Sequence, residues 1–199
     1  MNDQYMNLVE DKYKESYLFF MQGKKLTPFS SHQPVLIHTL NTIKEGKVLE
    51  YGMGWNSTKI MHMICGMQNR QLLSVDTSEL WFNRFTEFES DNHELLYLSE
   101  QEFTKYEHPL FKEHYSIALI DGSPGSARHK VVELLKDKVD YFVVHDTEEY
   151  ANNFRYPLFT YEWDFSGFKH QYHLQKGGPA TSLVSNLDEI NKELLTIFE

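Results

Sequence analysis

A doubly wound α/β sheet is the fold class this sequence predicts, and three observations predict it. Short apolar runs alternate with helical patterns along most of the chain. An acid stands at or near the end of four of those runs: Glu50, Asp76, Asp121 and Asp146. The first run opens directly into a Gly-x-Gly turn, Gly52-Met53-Gly54. Strands buried on both faces read as near-continuous apolar runs. In such sheets the ligand crevice lies outside the carboxyl ends of the strands, where the strand order reverses.

Each element follows from its residues. Tyr5 to Met21 sets Tyr5, Leu8, Val9, Tyr13, Tyr17 and Phe20 at helical spacing, and Gly23 closes that stretch. After a loop at Thr27-Pro28-Phe29-Ser30, Ser31 has the chemistry to cap a helix over about His32 to Ile43, with Pro34 in the tolerated first turn. Strands are expected at Lys47–Tyr51, Gln71–Val75, Leu95–Leu98, Tyr115–Ile120 and Tyr141–Val144. Helices are expected over about Ser57–Met67, Glu79–Glu89 and His129–Leu135. Two further strands, about Lys169–Leu174 and Thr181–Ser185, complete a seven-stranded sheet. The hairpin-like Gln175-Lys176-Gly177-Gly178-Pro179 between them predicts one antiparallel strand at the end of the sheet. A last helix is expected over Leu187–Phe198. No repeat or linker divides the chain, so one domain over 1–199 is expected, with a helical extension over 1–45 before a core over 46–199.

Composition narrows the function. A formal charge of -10 repels phosphate backbones, which disfavours a nucleic-acid partner. One cysteine, Cys65, excludes an internal disulfide framework and, within Ile60-Met61-His62-Met63-Ile64, reads as a core thiol. No stretch reaches the roughly 20 apolar residues of a membrane helix, and the start of the chain lacks the pattern of a leader peptide. The expectation is a soluble, cytoplasmic protein. Nothing in the sequence sets its oligomeric state.

Gly52 and Gly54 let the backbone turn tightly and approach a ligand. The helix behind them is expected to offer free amides from Ser57 and Thr58 and a positive dipole end. Asn56 stands where a dinucleotide fingerprint carries its third glycine. Asp76 ends the next strand about twenty residues on, where an acid can take two hydrogen bonds from a ribose diol. Asp76-Thr77-Ser78 also has the chemistry of a helix cap. Glu50 can orient the loop or pair with a ligand ammonium.

Val48-Leu49-Glu50-Tyr51-Gly52-Met53-Gly54 followed by Ser74-Val75-Asp76 resembles the class I S-adenosylmethionine-dependent methyltransferases. The resemblance spans roughly Lys47 to Ser185. It implies that Gly52 and Gly54 flank the methionine part of S-adenosylmethionine, that Asp76 and Thr77 lie at the ribose, and that Ser99 and Glu100 meet the adenine. Asn56 departs from the usual third glycine, at a position that varies in the family. The second half resembles the metal-using and sugar O-methyltransferases, through Asp121-Gly122-Ser123-Pro124-Gly125 and His145-Asp146. Two carboxylates on adjacent strand ends, Asp121 and Asp146, can converge on a hard cation such as Mg²⁺ and activate a substrate hydroxyl. Asp121 can instead hold the cofactor with Gly122, and His145 or Asp146 can act as general base, His145 being nearest neutrality. The expected acceptor is a hydroxyl of a small molecule or sugar. A sulfonium lyase or decarboxylase and a non-catalytic cofactor-binding protein are the competing classes. Arg128 and His129 can clamp an acidic group of the substrate but read first as a solvated helix start, and Trp55, Trp81 and Trp163 read as core, with Trp81 near enough to Asp76 to reach an adenine. Phe29 to His32 is the segment most suited to covering the crevice.

Overall fold

The computed structural model describes residues 31–147, 163–175 and 179–199. The expected helix over Tyr5–Met21 and most of the Gln175–Pro179 connection lie outside the described residues. The elements in chain order are α1 (Gln33–Thr42), β1 (Val48–Tyr51), α2 (Thr58–Met67), β2 (Leu72–Asp76), α3 (Glu79–Phe82), β3 (His93–Tyr97), α4 (Glu100–Phe103), β4 (Tyr115–Ile120), α5 (Gly125–Leu135), β5 (Val139–His145), β6 (His170–Leu174) and β7 (Thr181–Ser185), with 3₁₀ turns at Thr86–Phe88, Pro109–Lys112 and Lys192–Ile197.

Seven strands form one sheet in the order β3-β2-β1-β4-β5-β7-β6. The first five are mutually parallel, and β7 runs antiparallel to both β5 and β6. The antiparallel strand is therefore the last in sequence, as expected. It sits one place in from the edge because β6 takes the outer position. Strand order runs outward in opposite directions from β1 and from β4, so the crevice opens between their carboxyl ends.

Alternate residues of each strand feed two cores. Val48, Leu72, Ile117, Leu119, Val143 and Leu183 face α1 and α2, which contribute Val35, Leu36, Ile37, Leu40, Ile60 and Ile64. Cys65 is buried in this layer, as its neighbours predict. Leu49, Tyr51, Val75, Ala118, Ile120 and Phe142 face α5 and a cluster of Phe103, Phe111 and Phe165. The buried Arg70 guanidinium donates to the carbonyls of Ile43, Glu45 and Gly46 and to Ser116 Oγ, which fixes the approach to β1 against the end of α2.

Several boundaries differ from expectation for local reasons. The helix expected over Glu79–Glu89 is one turn, α3, followed by a 3₁₀ turn. No residue of α3 is buried, whereas Phe85 and Phe88, three apart, reach the core, a spacing the tighter turn serves. β3 begins at His93 rather than Leu95 because the His93 side chain turns inward and its backbone pairs with Leu72. α5 starts at Gly125, four residues before the expected His129, directly at the mouth of the crevice. The final helix shrinks to the 3₁₀ turn Lys192–Ile197, in which Leu194 alone is buried.

Candidate active site at the carboxyl ends of the strands

The glycine turn is tied down from every side. Gly52 has φ +99° and donates its N–H to Val75 O at 2.9 Å. A Cβ on Gly52 would fall 2.4 Å from Gly122 Cα, and one on Gly122 would fall 2.3 Å from the Tyr51 ring. The turns after β1 and β4 are thus in backbone contact across the switch point. Gly54 differs: among the described residues a Cβ there would meet only Ser57 Oγ at 3.4 Å. Its N–H donates to Thr58 Oγ1 at 2.8 Å, and that hydroxyl donates on to Glu50 Oε1 at 3.0 Å. The amides of Ser57 and Thr58, expected to be free, both donate to Gly54 O. The turn closes on itself before the helix begins.

Glu50 is fully buried. Burial pushes its carboxyl up to about 7, against the hydrogen bonds of Ser57, Ser74 and Thr58 that hold it down. Of its two expected tasks, the geometry serves orientation of the loop. Asp76 is also buried: its Oδ2 accepts from Met53 N at 2.8 Å and its Oδ1 from Ser78 N at 2.7 Å. Burial raises its pKa above the ordinary value despite those amides. Asp76 thereby joins the glycine turn to the β2 turn, with the Thr77 amide as a third donor to its carboxylate. Thr77 Oγ1 donates across the crevice to Ser123 O, which also accepts from Tyr51 OH at 2.9 Å. Ser99 caps α4 in a reciprocal box with Glu102, and Glu100 is exposed on that turn.

At the ends of β4 and β5 a polar cluster forms. His145, 3 % exposed, places Nδ1 3.1 Å from Asp121 Oδ1 and Nε2 2.9 Å from Ser31 Oγ. Asp146 Oδ1 lies 3.4 Å from the same Nδ1. Arg128 joins the two carboxylates, with Nη2 3.0 Å from Asp121 Oδ1 and Nη1 2.7 Å from Asp146 Oδ2. Its Nε donates to Gly122 O at 2.7 Å, so the cation is fixed to the β4 turn. Asp146 has φ +60°, a conformation that aspartate tolerates, and its carbonyl accepts from Trp163 Nε1. His32, 1 % exposed, packs edge-on to His145 at 4.9 Å and brings Nδ1 to 3.8 Å from Asp121 Oδ2. Among the described residues neither ring nitrogen of His32 meets a well-aligned hydrogen-bond partner, although the Asn56 backbone lies close enough to favour its charged form.

The charges are mutually adjusted. Burial works against an ionised Asp121, but His145, Arg128 and His32 outweigh it and hold the carboxyl well below the usual carboxylate range. Burial likewise works against a charged His145, and Asp121 and Asp146 reverse it, so its pKa rises above the ordinary value. His32 takes the opposite course: burial, then repulsion from His145, pulls it down to about 4. A neutral and a readily charged imidazole therefore stand face to edge.

The structure brings Asp121, His145 and Asp146 together as expected, but a protein cation, Arg128, lies between the two carboxylates expected to share a metal. Arg128, read from sequence as a solvated helix start, is buried. The signal was available: α5 begins at the strand end, so its first turn faces the crevice. Ser31 bonds His145 instead of capping α1, whose start has no side-chain cap. His32 ends the Phe29–His32 segment expected to cover the crevice, but nothing in the sequence marked it as a neighbour of His145. Trp163 is core, as expected. Trp55 and Trp81 are 38 % and 36 % exposed, each covered on one face by a cation, Lys59 and Arg84.

The fold is that of the Rossmann-like methyltransferases. A candidate O-methyltransferase from Klebsiella pneumoniae superposes with a TM-score of 0.55 at 9% identity, covering 93% of this chain and 90% of that one. A candidate caffeoyl-CoA O-methyltransferase from Staphylococcus aureus gives 0.54 at 9% identity, over 92% and 96%. A candidate methyltransferase from Escherichia coli gives 0.54 at 10% identity, over 83% and 89%. No protein-family model matches the chain, and no curated protein sequence matches it. Among the described residues, no helix is long and apolar enough to cross a membrane.

Proposed function

We propose that this chain is an S-adenosylmethionine-dependent methyltransferase, a single domain over 1–199, that methylates a hydroxyl of a small molecule or sugar. The observation that carries the reading is His145: it holds a carboxylate on Nδ1 and a hydroxyl on Nε2, at the switch point beside the glycine turn. Bound S-adenosylmethionine supplies a methyl group on a sulfonium, open to in-line displacement. Gly54 leaves room for close approach beside the Gly52 and Gly122 turns that pack on each other, Asp76 and Thr77 offer acceptors to a ribose, and Ser99 and Glu100 flank the place for an adenine. Ser31 Oγ marks where an acceptor hydroxyl can sit. Neutral His145 Nε2 accepts that hydroxyl's proton, and Asp121 fixes the tautomer and stabilises the imidazolium that results. Arg128 keeps Asp121 and Asp146 oriented while this happens.

Calorimetric titration with S-adenosylmethionine should show binding that Asp76→Ala removes. Absence of binding in the unaltered protein would overturn the proposal and move a non-catalytic role, or another ligand, to the front. Methylated product from a panel of sugars and small alcohols, as against breakdown of the sulfonium compound alone, separates a methyltransferase from a lyase.

A second reading is favoured by His32. Its ring belongs to a trio, His32, Asp121 and His145, whose ligand atoms lie within 4.8 Å of one another. Two imidazoles and one carboxylate suit Zn²⁺ or Mn²⁺ better than Mg²⁺. A metal there would lower the pKa of an acceptor hydroxyl directly. If so, a chelator should abolish turnover, Zn²⁺ or Mn²⁺ should restore it, and His32→Ala should not respond. Turnover unchanged by the chelator would leave the metal-free base.

A further inference from the structure

Away from that cluster, beneath α2, a continuous hydrogen-bond chain crosses the protein to the glycine turn. His62 on α2 meets His93 on β3, Nδ1 to Nδ1, at 3.0 Å. His93 Nε2 meets Ser74 Oγ on β2 at 2.8 Å. Ser74 Oγ donates to Glu50 Oε2 at 2.5 Å on β1. Thr58 closes the run, donating to the other oxygen of Glu50 while receiving Gly54 N–H. His93, Ser74, Glu50 and Thr58 are buried, whereas His62 at one end and Gly54 at the other are half-buried.

One donor order satisfies every link of the chain for an ionised Glu50, with the Phe88 carbonyl beside both rings as a further acceptor. Thr58 is occupied as acceptor by Gly54, so its proton faces Glu50. Ser74 likewise gives its proton to Glu50 and must receive from His93 Nε2–H. A neutral His93 then has a bare Nδ1, which receives from His62 Nδ1–H. The same chain is also satisfied for a neutral Glu50, with every bond from Glu50 to His62 reversed and none lost. A carboxyl that is satisfied in both charge states, and joined to the surface by groups that each accept and donate, meets the structural requirement for moving a proton.

We propose that His62, His93 and Ser74 are positioning residues that carry protons between the surface and Glu50, so that the glycine turn keeps its shape but changes the charge beneath it. A proton taken up at His62 Nε2 releases the Nδ1 proton to His93 Nδ1. His93 passes its Nε2 proton to Ser74, and Ser74 passes its hydroxyl proton to Glu50 Oε2. One proton enters and one carboxylate is neutralised. The Thr58–Gly54 link is untouched by the reversal, so shape and charge are separable. The ionisable groups facing Glu50 are Asp76 from the end of β2 and Cys65 from α2, and His93 faces it through Ser74. On the neighbouring β4 its partner is Leu119, which carries no charge. His62 faces His93 and, with Lys59 one turn away, packs on Phe88. Burial, which pushes Glu50 to about 7, sets the range in which the path works.

The path itself does not depend on the identity of the ligand; its effect on cofactor binding rests on the function proposed above. Infrared spectroscopy of the full chain tests the path. A protonated-carboxyl band should grow as pH falls through about 7 and be absent from Glu50→Gln. After a pH jump, the band should form roughly 10²-fold more slowly in His62→Gln, as loss of a positioned proton carrier does. Ser74→Ala interrupts the same path and serves if Glu50→Gln does not fold. A His62→Gln band that forms at the unaltered rate, or no band assignable to Glu50, overturns the proposal. Calorimetry with S-adenosylmethionine should then show affinity falling with acid in the unaltered protein and not in Glu50→Gln. A titrating Glu50 in a protein that binds no S-adenosylmethionine at any pH would count against the methyltransferase reading and leave the path standing.

Discussion

Gly52→Ala should lower stability by about 3–5 kcal/mol and the melting temperature by roughly 10 °C, whereas Gly54→Ala should leave both within about 1 kcal/mol of the unaltered protein. The two glycines belong to one motif and are needed for different reasons. At Gly52 the new methyl meets two penalties. Its φ of +99° lies where a side chain collides with its own backbone. Its Cβ also falls 2.4–2.6 Å from the backbone of Asp121 and Gly122, atoms that cannot rotate away. Relief requires the β1 and β4 turns to part, which strains the bond from Asp121 N to Tyr51 O and the Tyr51–Ser123 contact. At Gly54, among the described residues, a serine hydroxyl alone stands in the way. Gly54 lies in the turn at the carboxyl end of β1, so the cost of a methyl there should appear as lost affinity for S-adenosylmethionine. Thermal unfolding and calorimetry on the two variants read these effects separately. A Gly52→Ala protein that melts normally would mean that the two turns are not a rigid unit. A Gly54→Ala protein that binds normally would move the ligand away from this turn.

The same contrast shows how much of the site was legible in the sequence. The sheet was, because buried parallel strands write themselves as apolar runs and their carboxyl ends as acids. Val48–Tyr51, Tyr115–Ile120 and Thr181–Ser185 could be placed closely. Glu79–Glu89 could not: helical spacing of apolar residues does not distinguish one α turn plus one 3₁₀ turn from a continuous helix when α3 buries nothing. The acids Asp121 and Asp146 were legible as a pair, since adjacent strand ends must bring them close. What lies between them was not. A pair of carboxylates predicts a cation without saying whether the chain itself supplies it, and here Arg128 does, from a helix that begins four residues earlier than its pattern suggests. His32 and Ser31 were illegible as partners of His145 because they are more than 110 positions away and precede the first strand. No local pattern encodes a contact of that kind. The chain through His93 was hidden for a related reason, as an inward-facing histidine at the start of β3 looks like a polar loop residue until pairing with Leu72 turns it inside.

Asp121→Asn should reduce turnover by about 10²–10⁴-fold and move the pH dependence of what remains to lower pH. The sign follows from which form of His145 works. A base must be neutral, so turnover should rise with pH through the His145 pKa. That pKa stands above its ordinary value because Asp121, seconded by Asp146, stabilises the imidazolium more than burial disfavours it. Asparagine keeps the shape and removes the charge that opposes burial. Burial and Arg128 then pull down against Asp146 alone, and the rising limb should shift accordingly. The rate falls even though more of the imidazole is neutral, since the amide neither fixes the Nδ1–H tautomer with the same strength nor stabilises the charge that develops during proton removal. His145→Gln should lose the limb altogether. Rate–pH profiles of the three proteins, measured at saturating S-adenosylmethionine, separate this account from the metal reading. There His145 serves as a ligand, and Asp121→Asn should cost metal affinity, with activity recovered by raising Zn²⁺ or Mn²⁺. Recovery by metal would assign Asp121 to holding an ion, whereas a low, shifted, metal-independent profile would assign it to the base.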